Sequence, residues 1–169
     1  MAETGGEVLE SATPADAAAV AALLTAAAAQ LTAKYGPGHW SRPSTERGIL
    51  VAMRVSRVFI MRRGDRAVAT LALAAKKPWV VDLAYFTPSR RAVYLQSMAV
   101  EPELQRCGIG RRCVDQALQI ARDWRAETVR LDAYDADAGA GGFYLACGFR
   151  QAGRVVYRSV PLVYFERML

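Results

Sequence analysis

The spacing of apolar positions changes several times along this chain, and each change marks an element. Residues 7–11 read as a short first strand. From Thr13 the spacing turns helical, with Val20, Leu23, Leu24, Ala27 and Leu31 at helical intervals. Thr13 suits an N-cap, Pro14 takes the first helical position, and Asp16 follows three residues after the cap. This helix is expected to reach about Ala33 and to break at Tyr35-Gly-Pro-Gly-His39-Trp40. A second helix, capped by Ser44 or Ser41, is expected through Met53.

Two strands at 57–61 and 67–75 follow, joined at Arg63-Gly64-Asp65. Residues 78–88 form an irregular connection holding Trp79, Asp82, Tyr85 and Phe86. Residues 92–100 are the clearest strand, β-branched and apolar, ending at Glu101-Pro102. A helix at 108–124 carries two apolar rows, one of Cys113, Ala117, Ile120 and Trp124, the other of Val114, Leu118 and Ala121. A strand at 128–134, a short helix at 137–147 stopped by Gly148, and a hairpin of 155–158 and 162–167 around Pro161 complete the pattern. The order predicts a mixed sheet, antiparallel in its middle, with one βαβ crossover joining 92–100 to 128–134. No repeat or Pro/Ser-rich linker interrupts it. A length of 169 residues fits one domain over 7–169, preceded by a flexible tail at 1–6.

Composition narrows the class. Apolar residues make up 53% of the chain, which excludes an intrinsically disordered protein. The formal charge is +6, and its distribution is uneven. Residues 54–125 hold fourteen basic against six acidic residues, a net of +8, whereas residues 126–169 balance at five each. Nearly all the basic residues are arginine. A basic segment suits phosphate, nucleic acid or acidic lipid. The apolar run 17–29 lacks the basic flank of a secretory signal and is short for a bilayer span. Cys107, Cys113 and Cys147 form no CxxC pair, and His39 is the one histidine. These counts argue against a disulfide framework and against a metal site, and they favour the cytoplasm.

The sharpest feature lies between the strand at 92–100 and the helix that follows. Gln105-Arg106-Cys107-Gly108-Ile109-Gly110-Arg111-Arg112 sits where a helix N-terminus exposes unpaired N–H groups and the positive end of its dipole. Gly108 and Gly110 let main chain approach a ligand closely, and three arginines add charge, as a phosphate or pyrophosphate seat requires. A Walker A loop is excluded because no Gly-Lys-Ser/Thr follows. A dinucleotide fingerprint lacks its third glycine and the further βα units that such a fold needs.

Gln105-x-x-Gly108-x-Gly110, after a strand ending Ala99-Val100-x-Pro102, resembles the pyrophosphate loop of the GNAT superfamily of acyl-CoA-dependent N-acetyltransferases. A second block agrees. Leu131-Asp-Ala133, Asp137, Ala140, Phe143-Tyr144-Leu145 and Cys147-Gly148-Phe149 are similar to the family's Asn-x-x-Ala-x-x-x-Tyr-x-x-x-Gly-Phe segment. The resemblance covers nearly all of residues 7–168. It implies an α/β (α+β) fold with a single mixed, mostly antiparallel sheet of about seven strands flanked by about four helices. It also implies that the strands at 92–100 and 128–134 splay to form a coenzyme A cleft.

By that resemblance, acetyl-CoA is the cosubstrate and no metal is needed. Main-chain groups near Met98 and Val100 would pair with the pantetheine arm. Gln105, Arg106, Cys107, Gly108, Ile109, Gly110 and Arg111 would hold the pyrophosphate. Asp137 stands where the family usually has Asn, which removes an amide donor. Tyr144 occupies the family's general-acid position, and a phenol of ordinary pKa about 10 keeps a proton to donate. A neutral amine would attack the thioester directly. For the general base the sequence offers His39, Glu46, Asp82 or a water held by Ser97.

The acceptor pocket is expected from 35–47, the 78–91 connection and the closing hairpin. Arg90 and Arg91 would favour a carboxylate on the acceptor, whereas Asp132 and Asp135 would favour a cation. A small-molecule or peptide amine is the expected partner, with no nucleic acid and no membrane, and a homodimer stays open. Two other readings remain at this point: a non-catalytic acyl-CoA-binding module of the same fold, and a basic nucleic-acid-binding domain.

Overall fold

Strand side chains alternate between faces, so each strand contributes to two interior layers. Phe59 and Met61 point to one side of the sheet, Val58 and Ile60 to the other. The computed structural model describes residues 7–169, and the expected tail at 1–6 lies outside them. The elements are β1 (Leu9–Ser11), α1 (Ala17–Tyr35), α2 (Glu46–Ala52), β2 (Arg57–Arg63), β3 (Arg66–Ala74) and β4 (Ala92–Val100). They continue with α3 (Ile109–Asp123), β5 (Thr128–Tyr134), α4 (Gly141–Ala146), β6 (Arg150–Tyr157) and β7 (Val160–Met168). The strands form one open seven-stranded sheet in the order β1-β2-β3-β4-β5-β7-β6. Only β4 and β5 run parallel, joined by the crossover through α3.

One face is covered by α3 and α4. Ile109, Cys113, Val114, Ala117, Leu118 and Ala121 of α3 are buried against β3, β4 and β5, as the two apolar rows predict. The other face is divided. Over β2 and β3 it is covered by α1 and α2 through Ala17, Val20, Ala21 and Ile49. α1 also extends over part of β4, and beside it, toward β5 and β7, the cover is the 78–91 connection. There Val81 and Phe86 of the 78–91 connection pack on Tyr94 and Tyr164.

Thr13 and Asp16 form the expected capping pair, the Thr13 N–H donating to Asp16 Oδ2 at 2.7 Å. The helix extends to Tyr35 and stops at Gly36, whose φ is +81°. By length and composition alone the segment Pro14–Tyr35 could cross a membrane, so the expectation of a short apolar run is corrected. Here it packs on the sheet. The second helix is capped by Thr45, whose Oγ1 accepts from the Gly48 N–H at 3.1 Å, and not by Ser44 or Ser41. Ser44 is taken up by Thr25 of α1, and Ser41 by Thr32.

Two boundaries near the C-terminus differ from expectation. The helix expected at 137–147 begins only at Gly141, because 135–140 turn tightly: the Gly139 N–H donates to Ala136 O at 2.8 Å. The closing hairpin is longer than expected, and its turn is Arg158-Ser159, with φ of +48° and +67°. Positive φ at both turn residues matches the twist of the flanking strands. Pro161 lies within β7. β6 was hard to read because it is the exposed edge strand and lacks apolar alternation.

Candidate active site

The site originates in an interrupted strand pair. β4 and β5 are paired only at Ala92, Val93 and Tyr94 against Thr128, Val129 and Arg130. Beyond these, β4 stays registered with β3 as far as Val100, while β5 stays with β7 through Tyr134. The two strands therefore separate toward their C-terminal ends. β4 also carries a register shift against β3, and Ser97 there has φ +49°. A bulge of this kind bends its strand and frees one edge of it.

Chain continuity puts the N-terminus of α3 at the open end of this gap. Arg106 (φ +63°) and Gly108 (φ +81°) both take the left-handed conformation, which aims the loop's amides. The first helical hydrogen bond runs from the Arg112 N–H to Gly108 O at 3.1 Å. The N–H groups of Ile109, Gly110 and Arg111 have no helical partner, and no side chain caps them. Gly110 is needed for packing: a Cβ there would lie 3.2 Å from the Phe143 ring and 3.5 Å from Val100 Cγ2.

The side chains of this loop have mixed duties. Gln105 Nε2 donates to Val100 O at 3.2 Å and ties the loop to β4. Ile109 is buried, so only its main chain faces outward. Arg111 Nη1 donates to Ala146 O at 2.6 Å, and Arg112 is paired with Glu7. Of the three arginines expected to supply phosphate charge, Arg106 alone has no hydrogen-bond or ion-pair partner among the described residues. Cys107 is exposed beside it. Asp137 is exposed in the turn before α4 and not on the helix.

Tyr144 of α4 is buried among Phe143, Phe149 and Phe165, with ring centroids at 5.2, 5.7 and 6.1 Å. Its hydroxyl reaches Met98 Sδ of β4 at 3.8 Å, so the phenol stands at the edge that β4 leaves unpaired. Burial first, then the neighbouring Cys147 and Asp132 charges, raise its pKa above the ordinary phenol value.

None of the side chains expected as base is buried at the gap. His39, Glu46 and Ser97 are exposed. His39 contributes its carbonyl to the Tyr134 hydroxyl at 3.2 Å. Asp82 caps the turn at Leu83–Tyr85, accepting from the Ala84 N–H at 3.0 Å. A different carboxylate lies beside the gap. Leu131 and Val163 belong to the α3 layer, so Asp132 and its register partner Tyr164 point to the opposite face. Burial pushes the Asp132 carboxyl above its ordinary value, and no Lys or Arg pairs with it among the described residues. Its charge helps raise Tyr134, Tyr144 and Tyr164 after burial has done most. The sequence signal for it was an acid near the end of the strand at 128–134, on the same face as Arg130.

Beyond Tyr164, the register partner of Asp132, the 78–91 connection and the β6–β7 hairpin flank an open groove of about 570 Å³. Trp79, Tyr85, Tyr157 and Tyr164 line it, together with Asp82 and Asp135. The connection is pinned at both ends. The Tyr164 hydroxyl donates to Val80 O and accepts from the Asp82 N–H. At the other end the Thr87 hydroxyl donates to the buried Glu166 at 2.7 Å, and Arg130 Nη2 donates to Thr87 O at 2.6 Å. Residues 35–47 do not line this groove; Trp40 packs edge-on against Tyr134 instead. Arg90 and Arg91 lie at the paired end of β4, where Glu127 receives the Arg90 N–H. Their expected pull toward an acceptor carboxylate is therefore corrected.

This combination of a split parallel pair, a glycine-turned helix start and a tyrosine over the gap belongs to an acyltransferase class of fold. The model of the acetyltransferase (GNAT) family matches residues 25–149, and the chain is a member of that family. Solved structures share the fold. A GNAT-family acetyltransferase from Listeria monocytogenes is 16% identical with a TM-score of 0.73, covering 96% of this chain and 95% of that one. A GCN5-related N-acetyltransferase from Rhodopseudomonas palustris is 19% identical with a TM-score of 0.71, covering 98% and 97%. A putative acetyltransferase from Salmonella typhimurium, solved with acetyl-CoA, is 15% identical with a TM-score of 0.69, covering 96% and 93%. No curated protein matches the sequence.

Proposed function

We propose that the protein is an N-acetyltransferase that moves an acetyl group from acetyl-CoA to a primary amine, working in the cytoplasm. The observation that carries this reading is the β4–β5 separation beyond Tyr94 and Arg130, with the α3 N-terminus and the Tyr144 hydroxyl at its open end. The residues present fit the cosubstrate. The free amides of Ile109, Gly110 and Arg111 match pyrophosphate oxygens. The unpaired edge of β4 near Met98 and Val100 suits an amide-bearing arm added like a strand. Met98, Val100, Gln105, Arg106, Cys107 and Gly108 complete this cradle. Asp137, exposed in its turn and carrying negative charge, is the weakest member of the set.

Bound acetyl-CoA supplies the acetyl group as an activated thioester. The chain's own groups manage two protons. Asp132 accepts a proton from the incoming ammonium, so that the nitrogen carries a free lone pair. Its raised pKa suits that task better than an ordinary surface carboxylate. As the C–N bond forms and the C–S bond breaks, the Tyr144 hydroxyl gives its proton to the leaving sulfur, and the nitrogen's surplus proton passes to the phenolate oxygen, which leaves a neutral amide and a free thiol. The aromatic wall around Tyr144 excludes water from that transfer.

The reading is tested by following thiol release from acetyl-CoA across a panel of amines. Amine-dependent release above the hydrolysis background is expected. Background-only release from every amine would overturn it.

A further inference from the structure

We propose that the groove beside Asp132 selects small oligoamines, holding a second ammonium group of the acceptor while the first is acetylated. The proposal rests on the acetyl-transfer reading for the reacting end and on the groove's own chemistry for the other. The chain as a whole carries +6, yet this groove has the opposite character. Its lining includes Asp82 and Asp135, and Arg154 is the one basic residue in it. Arg154 is already paired with Asp135 at 3.1 Å. Asp82 has no Lys or Arg within ion-pair distance among the described residues, and nearby Lys77 is committed to the carbonyls of Val81 and Pro78 at 2.8 and 3.2 Å.

The aromatic residues point the same way. Trp79 is 89% exposed, far more than packing would leave it. Tyr85 stands edge-on to Tyr164 at 5.5 Å, and it lies so close to β6 that a Cβ on Gly153 would overlap its ring. The chain thus uses a glycine in an edge strand to seat this ring on the groove wall. Aromatic faces beside unpaired carboxylates attract ammonium groups. Arg158 stacks over Tyr157 at 5.3 Å and covers that ring, which leaves Trp79 and Tyr85 as the available faces.

Size and position suit a small-molecule occupant. About 570 Å³ falls within the range of small-ligand sites. Tyr164 lines the groove and is the direct register partner of Asp132, so one wall is shared with the carboxylate that receives the reacting amine. An amine at Asp132 therefore extends its chain past Tyr164 toward Trp79 and Asp82.

The test compares 1,6-diaminohexane with hexylamine, which differ by one terminal ammonium. The diamine is expected to show kcat/KM about tenfold higher, and Trp79→Ala or Asp82→Asn should bring that ratio close to one. Asparagine at 82 keeps the oxygen that caps Ala84, so the turn survives. A ratio near one in the unaltered protein, a ratio that persists in both variants, or preference for a lysine-rich peptide over the diamine overturns the proposal. Diamine binding is also read without turnover, from the shift of the Trp79 indole N–H signal, assigned by its loss in Trp79→Ala. If that signal moves with diamine and not with hexylamine while no amine is acetylated, the groove proposal stands and the acetyl-transfer reading fails.

Discussion

On the α3 side of the β4–β5 gap, the groups proposed to face the ligand are main-chain amides held out by Arg106 and Gly108 in left-handed conformations. On the side of the 78–91 connection they are side chains, Asp132, Tyr164, Trp79 and Asp82, brought together from three separate stretches of sequence. The first half needs a local backbone shape, which demands particular glycines at particular spacing. The second needs only that certain side chains meet, and many spacings allow that. A family can keep the first half constant and vary the second, and only the first leaves a motif.

The largest expected effect tests the chemistry where the two halves meet. Tyr144→Phe and Asp132→Asn should each lower kcat by roughly 10²- to 10³-fold. Acetyl-CoA affinity, measured by calorimetry, should stay within about threefold for both, since 1.4 kcal/mol is tenfold. The pH profile separates the two residues. Asp132 must be ionised to accept a proton, so kcat/KM should fall as pH drops through its raised pKa. That acid limb should disappear in Asp132→Asn and persist in Tyr144→Phe. Full turnover in either variant removes that residue from the mechanism.

A smaller effect isolates the main-chain half. Gly110→Val forces methyl groups toward the Phe143 ring, which lies 3.2 Å from the Cβ position. Overpacking of this kind is worth about 1–3 kcal/mol. The loop shifts to relieve the clash and carries its amides with it, so the Kd for acetyl-CoA should weaken by at least about fivefold, with diamine binding in the groove unaffected. Loss of both together would mean that the halves are not independent. Arg106→Ala should weaken acetyl-CoA by about threefold, because an exposed ion pair contributes little. That variant decides how much of the phosphate seat is side chain.

The smallest effect concerns stability. The Asp132 carboxyl has a raised pKa in the folded chain, so the folded state binds its proton more tightly than the unfolded state does. Its contribution to stability is complete below the unfolded value and is lost as pH rises through the folded one. Above that folded value the ionised carboxylate opposes folding, and there Asp132→Asn should raise Tm by a few degrees. A lowered Tm would show that Asp132 is held by interactions its burial does not reveal.

Much of the scaffold was readable from the sequence because it follows local rules. The rows on α3, the Thr13–Asp16 cap, the strand at Ala92–Val100 and the crossover to Thr128–Tyr134 all carry their signal within a few residues. The errors fall where tertiary contacts decide. Thr45 caps α2 because Thr25 on α1 takes Ser44. β6 forms on an exposed edge that needs no apolar alternation. Asp132 was visible as an acid near the end of a strand, but its nearness to Tyr144 and Tyr164 depends on strand order, which a single sequence does not spell out. Arg111 shows the reverse error: its charge suggested phosphate, and the fold spends its guanidinium on the end of α4.

The central claim is that the opened gap and the α3 N-terminus bind acetyl-CoA. Thermal unfolding with and without acetyl-CoA or desulfo-coenzyme A tests it most directly, since a ligand bound only by the folded chain raises Tm. At about 100-fold over Kd the stabilisation is about 2.7 kcal/mol, enough to raise Tm by several degrees. Both ligands should do so, because they share the pyrophosphate that the amides of Ile109, Gly110 and Arg111 are proposed to hold. An unchanged Tm at saturating concentrations of both would contradict the account.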